Sequence, residues 1–289
     1  MSLNFEGLQL RDLEGRTVVL TGATGGLGQY LCRYLLACNA EIVMVNRNQE
    51  KAEALCKKLK REYKNAEISS LLCDLSDMEQ VKQVSAQLQQ RKVDVLMLNA
   101  GTYAIPRALS AAGFDTVFQV NFLSQYYLLK ALLPQLKAGS GKVVVTGSIA
   151  HQFNRLNPAD PDFSHRRGAN NVYGNSKRFL MFAPMELLKN SGVSYAIGHP
   201  GISYTGITAA YPAEVLKIVK PGMELMFQHP ELACRSVVRA VMEEIPYGHW
   251  VGPGYFDIWG RPVISPLHSC EREERKQILQ LAEEMVRKL

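Results

Sequence analysis

Two tyrosines in this sequence, Tyr126 and Tyr173, are each followed four residues later by a lysine, Lys130 and Lys177. At that spacing two side chains share one face of a helix. An ammonium one turn from a phenol favours the phenolate, which matters because a free tyrosine, with a pKa of ~10, is a poor base near neutral pH. Context separates the two pairs. Tyr173 and Lys177 follow the short apolar run Lys142–Thr146, which ends in Gly147-Ser148. A strand leading towards a helix puts Ser148 at the strand's C-terminal end. A serine hydroxyl, a phenol and an ammonium set together can orient a carbonyl oxygen, donate its proton and tune the donor. That is carbonyl-reduction chemistry, with Tyr173 the general acid, Ser148 the oxygen-binding group and Lys177 the tuning charge.

Such a trio needs a scaffold, and the sequence supplies one. Apolar β-type runs occur at Thr17–Leu20, Glu41–Val45, Ile68–Cys73, Val93–Leu98, Lys142–Thr146 and Ser194–Gly198, with a weaker one near His249–Gly252. Between them apolar residues recur at helical spacing: Leu27/Leu31/Leu35, Ala52/Leu55/Cys56/Leu59, Val81/Val84/Leu88 and Val237/Val241/Ile245. Strand-helix alternation at this pitch predicts an α/β fold, a doubly wound parallel sheet with helices on both faces, in one domain over 1–289. Two stretches, Ala150–Val172 and 201–228, read as irregular. A final helix over Glu271–Leu289 carries Ile278, Leu281, Ala282, Met285 and Leu289 on one face and must dock on something.

The first turn points to a dinucleotide. The run Thr17–Leu20 enters Thr21-Gly22-Ala23-Thr24-Gly25-Gly26-Leu27-Gly28 and then a helix, the place where backbone N–H groups and a helix N-terminus hold a pyrophosphate. Two spacings fit: Gly22, Gly26 and Gly28 as T-G-x-x-x-G-x-G, or Gly22, Gly25 and Gly28 as T-G-x-x-G-x-x-G. The second run ends in Asn46-Arg47-Asn48, where an acidic residue would bind the ribose of NAD. A guanidinium there suits a 2′-phosphate, so NADP(H) is favoured over NAD.

Composition narrows the remaining classes. The chain has 289 residues, 47% hydrophobic and 21% charged, as expected for an ordinary globular protein. The net charge of +6 is scattered rather than clustered, which argues against nucleic acid. No apolar run of membrane-spanning length and no signal peptide is visible, so a soluble, cytoplasmic protein without integral membrane association is expected. The six cysteines form no C-x-x-C pair and read as reduced thiols. The six histidines show no metal-ligand spacing, so no metal is expected, and His199 reads as structural.

Together these motifs resemble the short-chain dehydrogenase/reductase family from Asp12-Leu13-Glu14-Gly15 to about Arg261. The resemblance implies further roles. Asp74 and Leu75, in Cys73-Asp74-Leu75, would lie near the adenine. Asn99-Ala100-Gly101 matches the family's N-A-G, with Asn99 bracing the sheet, and Asn121 would hold a water linking the lysine to solvent. His199-Pro200-Gly201-Ile202-Ser203-Tyr204-Thr205 is similar to P-G-x-V-x-T with serine in place of valine, which puts Pro200, Gly201 and Thr205 at the nicotinamide. Within the family, Asn46-Arg47-Asn48-Gln49-Glu50-Lys51-Ala52 and Ser148-Ile149-Ala150-His151 resemble the retinol-dehydrogenase-like branch. The implied cofactor set is Thr21, Gly22, Thr24, Gly25, Gly26, Leu27, Gly28, Arg47, Asp74, Leu75, Asn99, Ala100, Gly101, Tyr173, Lys177, Pro200, Gly201 and Thr205, and the catalytic set is Asn121, Ser148, Tyr173 and Lys177.

Residues 202–228 are dense in apolar side chains, among them Tyr204, Tyr211, Leu225, Met226 and Phe227, and the resemblance implies a lid over a lipophilic carbonyl or alcohol. Completion of the core or a subunit contact explains the same density. The segment with Asn121 and Tyr126–Leu133 is suited either to a homodimer contact or to covering the sheet. Two other functions stay open: an NADPH-sensing regulatory protein with little turnover, and a nucleotide-sugar epimerase relative, for which the part after Gly201 is short.

Overall fold

Seven of the apolar runs form strands: β1 (Thr17–Thr21), β2 (Glu41–Asn46), β3 (Ile68–Leu72), β4 (Val95–Leu98), β5 (Lys142–Thr146), β6 (Ser194–Gly198) and β7 (Trp250–Val251). The computed structural model describes residues 8, 10–103, 105–152, 155–165, 168–201, 229–247, 249–252 and 270–289. Every pairing among these strands is parallel, in the order β3-β2-β1-β4-β5-β6-β7. The central strands are apolar on both sides because helices cover both faces.

Among the described residues the α-helices are α1 (Gly28–Ala37), α2 (Gln49–Glu62), α3 (Met78–Leu88), α4 (Thr116–Phe118), α5 (Ser124–Ala138), α6 (Ala169–Leu188), α7 (Pro230–Ala233), α8 (Arg235–Met242) and α9 (Arg272–Arg287). Leu31 and Leu35 of α1, Ala52 and Leu59 of α2 and Val237 of α8 pack into one core. Val81 of α3, Leu129 of α5, Phe179 of α6 and Ile278 of α9 pack into the core on the other face. The chain builds β2 and β3 to one side of β1, then crosses to β4 on the other. That reversal opens a crevice beyond the carboxyl ends of β1 and β4.

Several boundaries differ from the sequence reading, each for a local reason. The strand within Val93–Leu98 starts at Val95: the Asp94 backbone still bonds to Thr17 O and to the Lys142 N–H, but the Thr17 N–H turns to the Asp94 carboxylate at 2.9 Å instead of extending the ladder. The strand expected to reach Cys73 ends at Leu72. The irregular stretch Ala150–Val172 contains a 3-10 helix, Ile149–Gln152, and gives way to α6 at Ala169. Gly168, at φ 117°, makes the entry into that helix. Ile245 lies beyond α8, whose last carbonyls are met by the Lys142 ammonium, 2.9 Å from Val241 O. A π-helix, Gln119–Leu123, sits between α4 and α5.

The C-terminal helix spans Arg272–Arg287 and docks on α6, burying Ile278, Ala282 and Met285. All six cysteines are free thiols. No helix among the described residues is long and apolar enough to cross a membrane. The lid expected at 202–228, including Thr205, lies outside the described residues.

Candidate active site

β1 ends at Thr21 and the chain turns sharply at Gly22, whose φ of 71° lies in the left-handed region. A Cβ there would stand 2.8 Å from Ala100 Cα, and one on Gly28 would stand 2.3 Å from the Gly22 carbonyl oxygen. Both positions therefore require glycine. Gly25 is looser, with 3.3 Å to the same oxygen. The two spacings left open by the sequence share Gly22 and Gly28, the pair the turn demands.

No side chain caps the N-terminus of α1 and its first turn has no acidic residue. That leaves N–H groups and a positive helix end for an anion. A groove of about 580 Å³ runs over the turn, lined by Gly22, Thr24, Gly25, Gly26, Leu27, Gly28, Arg47, Asp74, Leu75, Asn99, Ala100 and Gly101. Asn46 also lines it: its Oδ1 accepts from the Thr24 N–H at 3.2 Å, while its buried Nδ2 has no partner. An unsatisfied buried donor beside an uncapped helix end is what a phosphorylated ribose would complete. The donor set fits a dinucleotide, which Arg47 and Lys51 would meet at the far end of β2.

Thr21 does not face the groove. It is fully buried, its hydroxyl 2.7 Å from Gln125 Oε1, and it accepts from the N–H groups of Asn99 (2.9 Å) and Ala100 (3.0 Å). Asn99 ties β1 to β5: its Nδ2 donates to Thr21 O at 3.1 Å, and its Oδ1 accepts from Thr146 Oγ1 at 3.0 Å. The Asp74 carboxylate is held by Ser76, through N–H at 2.8 Å and hydroxyl at 2.7 Å.

Ser148 lies just past β5, and its Oγ accepts from the Ala150 N–H at 3.2 Å. The Tyr173 phenol, which α6 brings in from the side, lies near enough for Ser148 to act on its titration. Burial pushes that phenol up, Ser148 pulls it back down, and neighbouring Tyr103 adds to the rise. The net shift of the phenol is upward, because burial outweighs the other influences on it. The Lys177 ammonium donates to Thr146 O at 2.9 Å and sits 5.8 Å from the Tyr173 ring centre, and its own burial pushes it down to about 8.

Asn121 is buried inside the π-helix. Its side chain closes on Thr102, accepting from N–H at 2.7 Å and donating to O at 3.0 Å, and donates to Ser176 Oγ at 3.0 Å. Its own carbonyl accepts from Gln125 Nε2 at 2.8 Å. Pro200 and Gly201 follow β6, with Gly201 at φ 73°, and do not line the groove.

The competing pair has a different occupation. Tyr126 is fully buried, its hydroxyl donates to Glu283 of α9 at 2.6 Å, and Lys130 pairs with the same carboxylate. Burial and that carboxylate push the Tyr126 phenol far above its ordinary range. The face expected to serve a dimer or the sheet is thus partly covered by α9.

Four residues were not singled out from the sequence. Lys51 lines the groove four residues after Arg47, Asn46 offers the orphaned donor, and Tyr103 sets its ring edge-on to Tyr173 at 5.2 Å. Gln125 joins Thr21 to the π-helix. The one available signal was a glutamine directly before the apolar run Tyr126–Leu129. His199 stacks on Trp250 at 4.9 Å. Among the described residues no group of side chains is arranged to hold a metal ion.

Comparison with known proteins agrees with this geometry. The family profile described as short chain dehydrogenase matches residues 16–158. Human retinol dehydrogenase 13 is 29% identical over 91% of this chain and 81% of its own length, and human polyprenol dehydrogenase 28% identical over 91% and 82%. A solved structure of an uncharacterised protein from Mycobacterium paratuberculosis superposes with a TM-score of 0.75 at 25% identity, covering 96% of each chain. The chain belongs to the short-chain dehydrogenase/reductase family of oxidoreductases, which bind NAD(P) nucleotides. Retinol dehydrogenases 13 and 12 are among its curated relatives, in keeping with the retinol-dehydrogenase-like branch.

Proposed function

We propose that this protein is an NADP(H)-dependent oxidoreductase that interconverts a carbonyl and an alcohol on a lipophilic small molecule. The observation that carries the reading is the convergence of Ser148 at the end of β5 with Tyr173 and Lys177 of α6, Lys177 bonded to Thr146 O at 2.9 Å, next to a groove suited to a dinucleotide. Gly101, at the groove, faces Lys177: a Cβ there would lie 3.6 Å from Nζ.

When bound, the nicotinamide supplies or accepts the hydride. In reduction, Ser148 and Tyr173 both donate hydrogen bonds to the substrate oxygen, and Tyr173 transfers its proton as negative charge builds there. Lys177 stabilises the phenolate left behind. In oxidation the phenolate takes the alcohol proton. Asn121 fixes the strand-end loop at Thr102 against α6, keeping Lys177 in place. Asp74 and Leu75 would frame the adenine end, Pro200 and Gly201 the nicotinamide end, and Arg47 with Lys51 the 2′-phosphate. The absence of an acidic side chain at Asn46-Arg47-Asn48 supports NADP(H) over NAD.

The lipophilic substrate is supported by two relatives named for retinol and polyprenol and by the apolar lid sequence at 202–228. Free thiols suit a reducing compartment such as the cytoplasm. The test is kcat/KM with NADPH and NADH across ketones and aldehydes of growing apolar size. We expect turnover that rises along the series, by up to ~0.8 kcal/mol in transition-state binding for each buried CH₂. Absence of turnover with every carbonyl would overturn the reaction type, and a flat series would remove the lipophilic substrate alone.

A further inference from the structure

Ser148 is held by more than its own loop. Its carbonyl oxygen accepts from His151 twice, from ring Nδ1 at 2.6 Å and from the backbone N–H at 3.2 Å. His151 has no exposed surface, and burial keeps its ring neutral by pushing it down to about 4. Facing a carbonyl, Nδ1 must then carry the ring's proton. The His151 carbonyl in turn accepts from Arg178 Nη1 at 2.9 Å. Arg178 follows Lys177 on α6, and its Nε and Nη2 both reach Oε1 of Glu274 on α9, at 3.0 and 2.7 Å. The same oxygen accepts from the Leu156 N–H at 3.3 Å, drawing the segment after the 3-10 helix into the junction.

We propose that Glu274 and Arg178, acting through His151, are positioning residues that keep Ser148 in register with Tyr173. The proposal rests on the carbonyl–alcohol reading above. Ser148 and Tyr173 belong to different elements, yet both oxygens must reach one substrate atom. Arg178 rides on the helix that carries Tyr173, and its bond to His151 fixes the separation between that helix and the turn that carries Ser148. Glu274 fixes the guanidinium: the Arg178 side chain is only 4% exposed, so its rotamer is set by the partners it finds inside. The helix α9 thereby belongs to the site's geometry, although it lies outside the stretch that the family profile matches.

The fold contains its own control. Arg275 and Glu186 form a second buried ion pair between the same two helices, at 2.9 Å, whereas the bond to the His151 carbonyl comes from Arg178 of the first pair. Loosening either pair weakens the docking of α9, but only one should move Ser148.

The experiment uses the full chain with the best carbonyl substrate of the wild type. It measures kcat, KM, NADPH affinity by fluorescence and melting temperature in Glu274→Ala, Glu274→Gln and Arg275→Ala. Glu274→Ala should lower kcat about 10–100-fold, the scale of a misplaced reacting group, with NADPH affinity held. Arg275→Ala should lower the melting temperature comparably with kcat within about twofold. Glu274→Gln, whose amide oxygen can accept the same donors, should recover most of kcat. In the oxidation direction the acidic limb of Glu274→Ala should move to higher pH, because Ser148 is the group that holds the Tyr173 phenol down.

A second comparison leaves the helix interface untouched. His151→Asn keeps a donor for the Ser148 carbonyl and His151→Phe does not, so the asparagine variant should be faster by roughly tenfold. Equal kcat in Glu274→Ala and Arg275→Ala, or in the two His151 variants, would overturn the positioning role. If wild type then still turns over and Tyr173→Phe does not, the reaction type survives that failure. An inactive wild type would overturn both.

Discussion

The Lys177 ammonium donates a 2.9 Å hydrogen bond to the carbonyl oxygen of Thr146, two residues before Ser148. One helix side chain thus clamps the end of β5 at the point where the strand delivers its serine. Tyr173, Lys177 and Arg178 all reach the strand end or its following turn from α6, so this helix both presents a phenol and sets where its partner oxygen stands.

The two Tyr-Lys pairs should separate cleanly under substitution. Tyr173→Phe is expected to abolish turnover with NADPH binding largely intact. Tyr126→Phe should leave turnover within about twofold but cost about 1.5–3 kcal/mol of stability, since its hydroxyl bonds a carboxylate. Steady-state kinetics beside denaturant melts decide it, and equal loss of activity in both variants would refute the assignment.

Arg47 is expected to contribute about 1.5–3 kcal/mol to NADPH binding through charge-assisted hydrogen bonds to the 2′-phosphate. Arg47→Ala should therefore narrow the preference over NADH from the NADPH side, and Arg47→Ala/Lys51→Ala together should narrow it further. Titration of both cofactors by fluorescence provides the numbers. A wild type that binds NADH more tightly would rule the assignment out.

Gly28→Ala forces a methyl to 2.3 Å from the Gly22 carbonyl oxygen, a clash with backbone rather than with a movable side-chain end. The expected cost is about 3 kcal/mol, the upper range for overpacking, together with loss of dinucleotide binding. Gly25→Ala meets its nearest atom at 3.3 Å and should be much milder in both respects. Comparable melting temperatures and affinities for the two variants would contradict the geometry of the turn.

Acid should destabilise the fold through its buried histidines. Burial pushes His151 and His199 down to about 4, whereas in the unfolded chain they titrate near the ordinary 6.5. Between those values the unfolded state binds more protons, so stability falls as pH drops from 6.5 towards 4 and is then level with respect to these groups. Each can contribute up to about 3 kcal/mol. His199→Gln should flatten the slope of melting temperature against pH in that window, and an unchanged slope would show that His199 is protonated in the native state.

The sheet was legible because its signal is repetitive: apolar runs such as Val143–Val145 and Ile42–Val45 recur between helical spacings. The glycine turn was legible too, since Gly22 and Gly28 are dictated by local sterics. What escaped depended on contacts distant in the sequence. Nothing near Asn121 announces a π-helix, whose freed carbonyl is met by the Gln125 side chain. The rise in the Tyr173 phenol comes from burial by residues scattered along the chain, and spacing alone suggested the opposite shift. Asn46 looked like a neighbour of Arg47, and only the folded turn reveals that half of its amide is unsatisfied.

The docking of α9 has a consequence for how the molecule comes into being. Tyr126 meets Glu283 across 157 positions of sequence, and Arg178 meets Glu274 across 96. Contacts so remote form late, because closing long loops must precede any gain from them. On a ribosome, where the N-terminal part emerges first, the nucleotide groove is complete once β4 and its flanking loops are made. The helix presenting Tyr173 receives its outer support only after α9 has emerged. A nascent chain would therefore acquire the means to bind dinucleotide well before it acquires a settled proton donor, and cofactor held early could serve as a template on which the later helices fold.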